Sequence, residues 1–517
     1  MPGYVLGIDA GTESIRAAIF DEHGVCLSFG TSENKTIHTH PGWAEQAITR
    51  WEQGMIEAIN QAISTSGIRP DAIKGISVDG TTCTVVFQDH AGKPLRDALM
   101  WMDVRAHHEA EEIAATNDPA LKYVGFGNVS AEWFPCKVLW MKRHEPQIFD
   151  TASTIFEQTD WLIYKLTGEL TCNINTVSVR WFYDASQGGL PKTLYKAIGL
   201  EDVFEKLPSR VLRLGEVAGT LSRSVAEQTG LQAGIPVAAG GGDAFIGILG
   251  LNALRPGQLS LITGSSHVHM GLLDREIHAP GIFGTYPDAV LPGRHLVEGG
   301  QVSTGSILKW FKDNFVNGTI EREALQTHQD VYDVLGAMAQ KIPLGAEGLV
   351  VLDHWQGNRT PWTDPTSRGV IRGLTLRHTP AHVFRAIMEG VACGTAVILQ
   401  KMEQKGVSIT ELVVCGGTTK SDLWMHIHAD VTGKPITITE EQQATVLGGA
   451  ILAAVGAGLY DSIEEAAQQM VRVKQIVEPD MEQHAAYQFY VDQYVKTYEV
   501  LKDESRKTVQ RLEQYGR

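Results

Sequence analysis

Tyr4-Val5-Leu6-Gly7-Ile8-Asp9-Ala10-Gly11-Thr12 is a short apolar run that ends in an acid and turns at once on Gly-Thr. Ile15-Arg16-Ala17-Ala18-Ile19-Phe20-Asp21 follows, and Glu22-His23-Gly24 makes a second turn before Val25-Cys26-Leu27. Apolar runs of this length between glycine turns predict a β-meander. The pattern returns at Leu259-Ser260-Leu261-Ile262-Thr263-Gly264-Ser265-Ser266-His267-Val268-His269-Met270-Gly271-Leu272-Leu273-Asp274. With Gly11 set on Gly264, Thr12 meets Ser265, Phe20 meets Leu273 and Asp21 meets Asp274. A hairpin with a hydroxyl residue after glycine is an economical phosphate clamp: backbone N–H groups and the hydroxyl face an anion where glycine lets it come close. Two ordinary hairpins would carry the same residues, and either copy taken alone reads that way.

Helical periods alternate with these strands. Trp51, Met55, Ile59 and Ile63 lie four apart with Gly67 as a stop, and Val383, Ile387 and Val391 repeat the spacing towards Gly406. Ala444 to Gly458 is rich in small residues, which predicts close packing on a sheet. From Tyr487 to Gln514 a charged helix carries Phe489, Tyr490, Tyr494, Tyr498 and Leu501 as its apolar side. Strands alternating with helices imply an α/β fold. At 517 residues the chain exceeds one ordinary domain. The boundary is expected near Gly250, giving domains 1–250 and 251–517.

Hydrophobic residues make up 43% and charged residues 20%, a globular composition. Sixty acids against 44 bases give a net charge of −16, which argues against a nucleic-acid surface. No uncharged apolar run is long enough to cross a bilayer, and the first residues lack the basic start of a signal peptide. Cys26, Cys83, Cys136, Cys172, Cys393 and Cys415 form no CxxC pair, which suits a reducing cytoplasm and supports neither a zinc ribbon nor a redox motif.

The chemistry is carried by carboxylates and glycines. Asp9, at the end of the first strand, can hold Mg²⁺ or its water while the glycine turn meets phosphates; a turn-capping Asp is the plainer alternative. Ile235-Pro236-Val237-Ala238-Ala239-Gly240-Gly241-Gly242-Asp243-Ala244 runs a short strand into three glycines and one acid. Three glycines cost backbone entropy, and they are expected to let a ligand approach Asp243. In phosphoryl transfer an Asp is the natural acceptor of the proton on an attacking hydroxyl. Asp243 would also serve to cap a helix beginning at Ala244. Val413-Val414-Cys415-Gly416-Gly417-Thr418-Thr419-Lys420-Ser421 reads as strand, Gly-Gly turn and helix start, a shape that suits the edge of a nucleotide. The fingerprint GxGxxG is absent, and both Gly-Lys pairs, at Lys93 and Lys434, are followed by Pro, so neither a Rossmann dehydrogenase nor a Walker A loop is indicated. His267 and His269 point to one face of a strand, but no third ligand attaches to them. They, His107-His108 and His426/His428 are expected to be structural or surface residues.

These motifs together resemble the FGGY carbohydrate kinases across nearly the whole chain. Gly7 to Thr12 is similar to the family's first phosphate motif, Thr263-Gly264-Ser265 to the second, and Gly416-Gly417 with Ser421 to its adenosine motif. Gly369-Val370-Ile371-Arg372-Gly373-Leu374, with His382-Val383 and Ala386-Ile387-Met388-Glu389 beyond it, is similar to the family's C-terminal signature. The N-terminal signature departs: three residues before Lys137 stands Phe134, and Pro135 is one place late. The run Val129 to Lys137, with Ser130-Ala131-Glu132-Trp133-Phe134, resembles the ribulokinase branch instead. So do Gly75-Ile76-Ser77-Val78-Asp79-Gly80-Thr81-Thr82, Glu298-Gly299-Gly300-Gln301 and Asp353-His354-Trp355-Gln356-Gly357-Asn358-Arg359-Thr360-Pro361.

The resemblance implies a two-domain actin-like ATPase fold of the ribonuclease H-like kind, with a ligand cleft between the domains. It implies ATP with Mg²⁺ mainly on the second domain and sugar mainly on the first, Asp243 as catalytic base and Asp9 as the acid near Mg²⁺. Thr82, Arg180 and Glu298 fall at sugar-contact positions, together with Asp243. Gly11, Thr12, Gly264, Ser265, Gly305, Gly417 and Ser421 fall at nucleotide-contact positions. The family typically has Lys at the Arg180 position and Ala at Thr82, and both changes bear on substrate choice. Ribulose is the first expectation, and xylulose or a polyol (ribitol, erythritol, glycerol) the second. A non-catalytic sugar sensor on the same fold is the alternative from another class, and a homodimer is a family-level expectation.

Overall fold

A computed structural model describes residues 3–316 and 318–515 of the chain. The predicted meander is the edge of a six-stranded sheet. Its strands are β1 (Tyr4–Ala10), β2 (Ser14–Asp21), β3 (Cys26–Glu33), β4 (Ile73–Gly80), β5 (Val217–Thr220) and β6 (Pro236–Ala238), in the spatial order β5-β6-β4-β1-β2-β3. The second sheet has seven: β7 (Gly257–Thr263), β8 (His267–Leu273), β9 (Phe283–Pro287), β10 (His295–Gln301), β11 (Ile409–Gly416), β12 (Ile436–Thr439) and β13 (Val473–Val477). They lie in the order β9-β10-β8-β7-β11-β12-β13.

The short echo in the sequence belongs to a much larger repeat. Outward from β3, the first sheet pairs antiparallel, antiparallel, parallel, parallel and antiparallel. Outward from β10, the second sheet repeats that series. The second sheet adds β9 on its edge, and its last strand, β13, follows β12 in the chain where β5 precedes β6.

Helices pack on both sheets. Helix α1 (Ile48–Ser66) buries Trp51, Met55 and Ile59, and Gly67 stops it in the left-handed region at φ 71°. Further along come α2 (Phe134–His144), α3 (Ile174–Arg180), α4 (Asp243–Gly250), α5 (Gly305–Phe315), α6 (Pro380–Gln404), α7 (Asp422–Thr432), α8 (Ala444–Gly456) and α9 (Met481–Tyr515). The small residues of α8 do lie against a sheet, and it is the first one, far away in sequence. A Cβ on Gly7 would stand 2.3 Å from Val446 O, and one on Gly75 2.2 Å from Ala453 O. Helix α4 closes on α8 just as tightly: a Cβ on Gly250 would meet Ala444 O at 1.9 Å. Two helices from different halves of the chain are thus joined backbone to backbone.

Among the described residues α6 is the one helix long and apolar enough to cross a membrane, and its apolar length is explained by its place inside the protein core. Helix α9 buries Tyr487, Val491, Tyr494 and Tyr498. Phe489, expected on that apolar side, is 61% exposed. It stands two residues beyond Tyr487, and a 3.6-residue turn carries it to the far face. All six cysteines are free, five of them buried.

Candidate active site

Strand register assembles the acids. The parallel pairing of β1 with β4 sets Asp9 beside Asp79, and the antiparallel pairing with β2 sets Arg16 opposite Asp9. Arg16 Nη2 lies 2.9 Å from Asp9 Oδ2, and Thr445 Oγ1, from α8, donates to the same oxygen at 3.2 Å. Asp9 Oδ1 and both carboxyl oxygens of Asp79 are buried without a hydrogen-bond partner. Burial pushes both carboxyls up. Asp79 goes well up, because the charges of Asp9 and Asp243 add to its burial, whereas Arg16 opposes the rise at Asp9.

Asp243 is the first residue of α4, with Gly242 at the N-cap, and its Oδ1 accepts the Ala244 N–H at 2.7 Å. The three glycines before it make room for protein rather than for ligand, contrary to the expectation. A Cβ on Gly240 would lie 1.8 Å from Val78 O, one on Gly241 2.9 Å from Asn175 Oδ1, and one on Gly242 2.2 Å from Thr82 Cγ2. The loop is threaded against β4 and the Thr82 turn, and this close passage sets Gly242, the residue before Asp243, against Thr82. Burial, then the charge of Asp9, push the Asp243 carboxyl up to about 7. A carboxyl held there changes its protonation state near neutral pH.

Arg180 ends α3, and Glu298 lies within β10. Arg180 Nη2 donates to Glu298 Oε1 at 3.0 Å and Oε2 at 2.9 Å, and Nη1 donates to the Tyr286 hydroxyl at 3.0 Å. The guanidinium also lies 5.4 Å from the centre of the Phe245 ring, two residues beyond Asp243. The structure pairs Arg180 with Glu298, sets that guanidinium near Phe245, and brings Thr82 against Gly242, the residue before Asp243. The direct ion pair between Arg180 and Glu298 is a feature no sequence signal gave.

The nucleotide-motif residues gather at the matching end of the second sheet. Thr263 pairs with Gly416 in register, and Thr418 Oγ1 donates to Thr263 Oγ1 at 2.6 Å. Gly305, opening α5, donates its N–H to Gly264 O at 3.1 Å, and the N–H of Thr304 reaches Ser265 O at 2.9 Å. A Cβ on Gly417 would meet nothing within 4 Å, and Ser421 caps α7 by accepting the Trp424 N–H at 3.3 Å. A cavity of about 490 Å³ opens beside this turn, lined by Thr419, Lys420, Glu440, Gln442 and Lys474. Gly11 and Thr12 stand at the first sheet, beside Asp9 and Arg16.

Asp79, Arg16 and Tyr286 were not picked out as site residues from sequence. Asp79 had a signal: Val78-Asp79-Gly80-Thr81 is a strand-end acid before glycine and threonine, like Ile8-Asp9-Ala10-Gly11-Thr12. Arg16 and Tyr286 had none, since strand register places them. Three of the histidines lie together in the core. His267, His269 and His428 are buried, and His428 supplies a third ring, its centroid 5.7 Å from that of His267. Burial lowers all three, His269 to about 3 and His428 to about 4, so they are neutral. Among the described residues no three His, Cys, Asp or Glu side chains form a metal-binding group.

Comparison with known proteins fits this geometry. Residues 4–250 match the FGGY family of carbohydrate kinases, N-terminal domain, and residues 259–457 match its C-terminal domain. A ribulokinase of Geobacillus thermodenitrificans is 32% identical over 532 residues, covering 96% of this chain and 94% of its own. An FGGY carbohydrate kinase domain-containing protein of Xenopus laevis is 33% identical over 533 residues, covering 95% of each chain. The crystal structure of a xylulose kinase from Rhodospirillum rubrum superposes with a TM-score of 0.85 at 26% identity, over 97% of this chain and 99% of that one. Fold and comparisons together define a phosphotransferase with an alcohol group as acceptor, built as a two-domain α/β protein. The chain belongs to the FGGY family of carbohydrate kinases and is an ATP-dependent sugar kinase.

Proposed function

We propose that the chain phosphorylates the terminal hydroxyl of a pentulose, with ribulose as the preferred substrate. The observation that carries this reading is the largely buried Arg180–Glu298 pair near the Phe245 ring, two residues beyond Asp243, with Thr82 against the neighbouring Gly242. Asp243 accepts the proton of the attacking hydroxyl. Arg180 donates and Glu298 accepts, so the two read hydroxyl orientation as well as presence. Without sugar they satisfy one another; with sugar bound, its hydroxyls take part of that bonding. The ribulokinase relatives support the pentulose, since they align over nearly the full chain. A purely structural ion pair is the competing reading of the same two residues.

Domains 1–250 and 251–517 divide the work in this proposal. Gly264, Ser265, Gly305, Gly417 and Ser421 hold ATP on the second, while Gly11 and Thr12 meet its phosphates from the first. Asp9 suits Mg²⁺: it is buried with one unpartnered oxygen beside Asp79, and an ion that keeps its waters is held by one or two carboxylates plus phosphates. Mg²⁺, when bound, would neutralise phosphate charge. A cytoplasmic setting fits the six free cysteines.

The test is ADP release with D-ribulose, L-ribulose, D-xylulose, ribitol and glycerol, by the wild type, Glu298→Gln and Arg180→Lys. The reading expects a ribulose to lead in the wild type. It expects the order of kcat/KM across the panel to change in both variants, by up to ~10⁴-fold where a bonded hydroxyl is missing, with ATP KM little moved. A uniform fall, or none, makes the pair structural. No sugar-dependent ADP release from the wild type favours the sensor.

A further inference from the structure

Cys83, directly after Thr82, is a non-glycine residue in the left-handed region, at φ 61°. Both polar groups of its backbone are held by buried ionisable side chains of opposite sign. Its N–H donates to Glu157 Oε2 at 2.7 Å, and its carbonyl accepts from Lys137 Nζ at 2.7 Å. Lys137 and Glu157 are both 0% exposed. Burial works against both charges, lowering the pKa of Lys137 and raising that of Glu157 to about 7. A turn that only had to bend could use glycine and spare the fold two buried charges.

The remaining bonds of each side chain show what the arrangement holds. The Lys137 ammonium also donates to Met100 O at 2.5 Å and Trp101 O at 3.3 Å. The Trp101 indole N–H in turn donates to Thr12 Oγ1 at 2.9 Å. Glu157 Oε1 accepts the indole N–H of Trp181 at 2.6 Å, and Trp181 directly follows Arg180. One side chain thus ties the Thr82–Cys83 turn to the Gly11–Thr12 loop, and the other ties it to the end of α3 that carries Arg180.

We propose that Lys137 and Glu157 are positioning residues that clamp the Thr82–Cys83 turn from its two sides and so set the spacing of Thr82 and Arg180 in the pocket. The proposal rests on the sugar-pocket reading above. Neither residue reaches the reacting atoms; each acts through the backbone of Cys83. Buried hydrogen bonds of this kind fix geometry closely, and a turn released from them changes the sugar site before it changes the nucleotide site, most of which lies on the other sheet and which the Lys137 network touches only through Trp101 and Thr12.

The test uses the full chain with Lys137→Met, Glu157→Ala and Glu157→Gln, the sugar of highest kcat/KM, and hydrogen exchange at the Cys83 amide. Lys137→Met and Glu157→Ala are expected to raise sugar KM ~10–100-fold with ATP KM within about twofold, since small misplacements weaken the contacts of the sugar alone. Exchange at Cys83 speeds up in both. Glu157→Gln keeps one accepting oxygen, for either the Cys83 or the Trp181 N–H but not both, and is expected to give a sugar KM between those of the wild type and Glu157→Ala. A native sugar KM in folded Lys137→Met and Glu157→Ala, or sugar and ATP KM rising together, overturns the proposal. Should Glu157→Ala not fold, Lys137→Met, which keeps the side chain's length, carries both readouts. A wild type that turns over none of the sugars strikes down the sugar-pocket reading alone. The Cys83 amide still reports on the clamp, and unchanged exchange in the variants overturns it.

Discussion

The two hairpins at the hearts of the two sheets have the same topology and opposite chemistry. In the first, β1–β2, Asp9 faces Arg16 across the ladder and Asp79 along the parallel pair. At the corresponding places in β7–β8 stand Ile262, with Val268 opposite it across the ladder and Cys415 along the parallel pair. The loops differ as well. Thr12 receives Trp101 on its hydroxyl and Gln46 Nε2 on its carbonyl at 2.6 Å, and Gly11 O receives Asn34 at 3.3 Å. Gly264 and Ser265 are exposed, and a Cβ on Gly264 would meet only Ser266 O, at 4.0 Å. One hairpin is charged and tied down beside Asp79; the other is neutral, and its exposed turn is held from inside, the Gly264 N–H donating to Ser266 O and the Gly264 and Ser265 carbonyls accepting from Gly305 and Thr304. A repeated sheet therefore acquires two roles through the few residues at its strand ends.

The largest way to break this division is at the acid end. Asp243→Asn keeps the side chain's shape and cannot take a proton, so kcat is expected to fall ~10²–10⁴-fold with ATP affinity unchanged. Steady-state kinetics and ADP titration check it. Near-native kcat would remove Asp243 from the chemistry. The neutral hairpin comes next. Gly264→Val places a side chain where the nucleotide phosphates are proposed to sit, and ATP KM is expected to rise ~10²-fold with sugar KM nearly unchanged. Equal damage to both KM values in a folded variant would erase the difference between the hairpins. The smallest effect sharpens the comparison. Thr12→Val removes one hydrogen bond with Trp101, and kcat/KM should drop only ~2–10-fold. A much larger loss would show that the first loop binds phosphate as directly as the second.

The sheets were legible in the sequence because their strands are apolar runs bounded by glycine turns, and the packing of α8 because its residues are small. The acid pair was half legible. Asp9 and Asp79 are each the next-to-last residue of a strand, close before a Gly-Thr pair, but only the parallel register puts them side by side. The Arg180–Glu298 contact spans 118 residues and leaves no local trace. Gly240 to Gly242 misled for a physical reason: glycine shows that something comes close, and composition does not say whether that is a ligand or, as here, Val78 and Thr82. Phe489 misled because an aromatic residue on a long helix suggests burial whichever face it occupies.

The central claim is that Asp243 is the general base of a sugar kinase, and the pH dependence of kcat/KM tests it most directly. With both substrates far below saturation, kcat/KM reports the free enzyme. Burial and the neighbouring Asp9 raise the Asp243 carboxyl to about 7, and only its ionised form can accept the hydroxyl proton. Activity should therefore rise with pH through a midpoint near 7 and fall about tenfold for each pH unit below it. The limb should vanish from the residual activity of Asp243→Asn. A profile flat down to the ordinary carboxylate range, or the same limb surviving in Asp243→Asn, would contradict the claim.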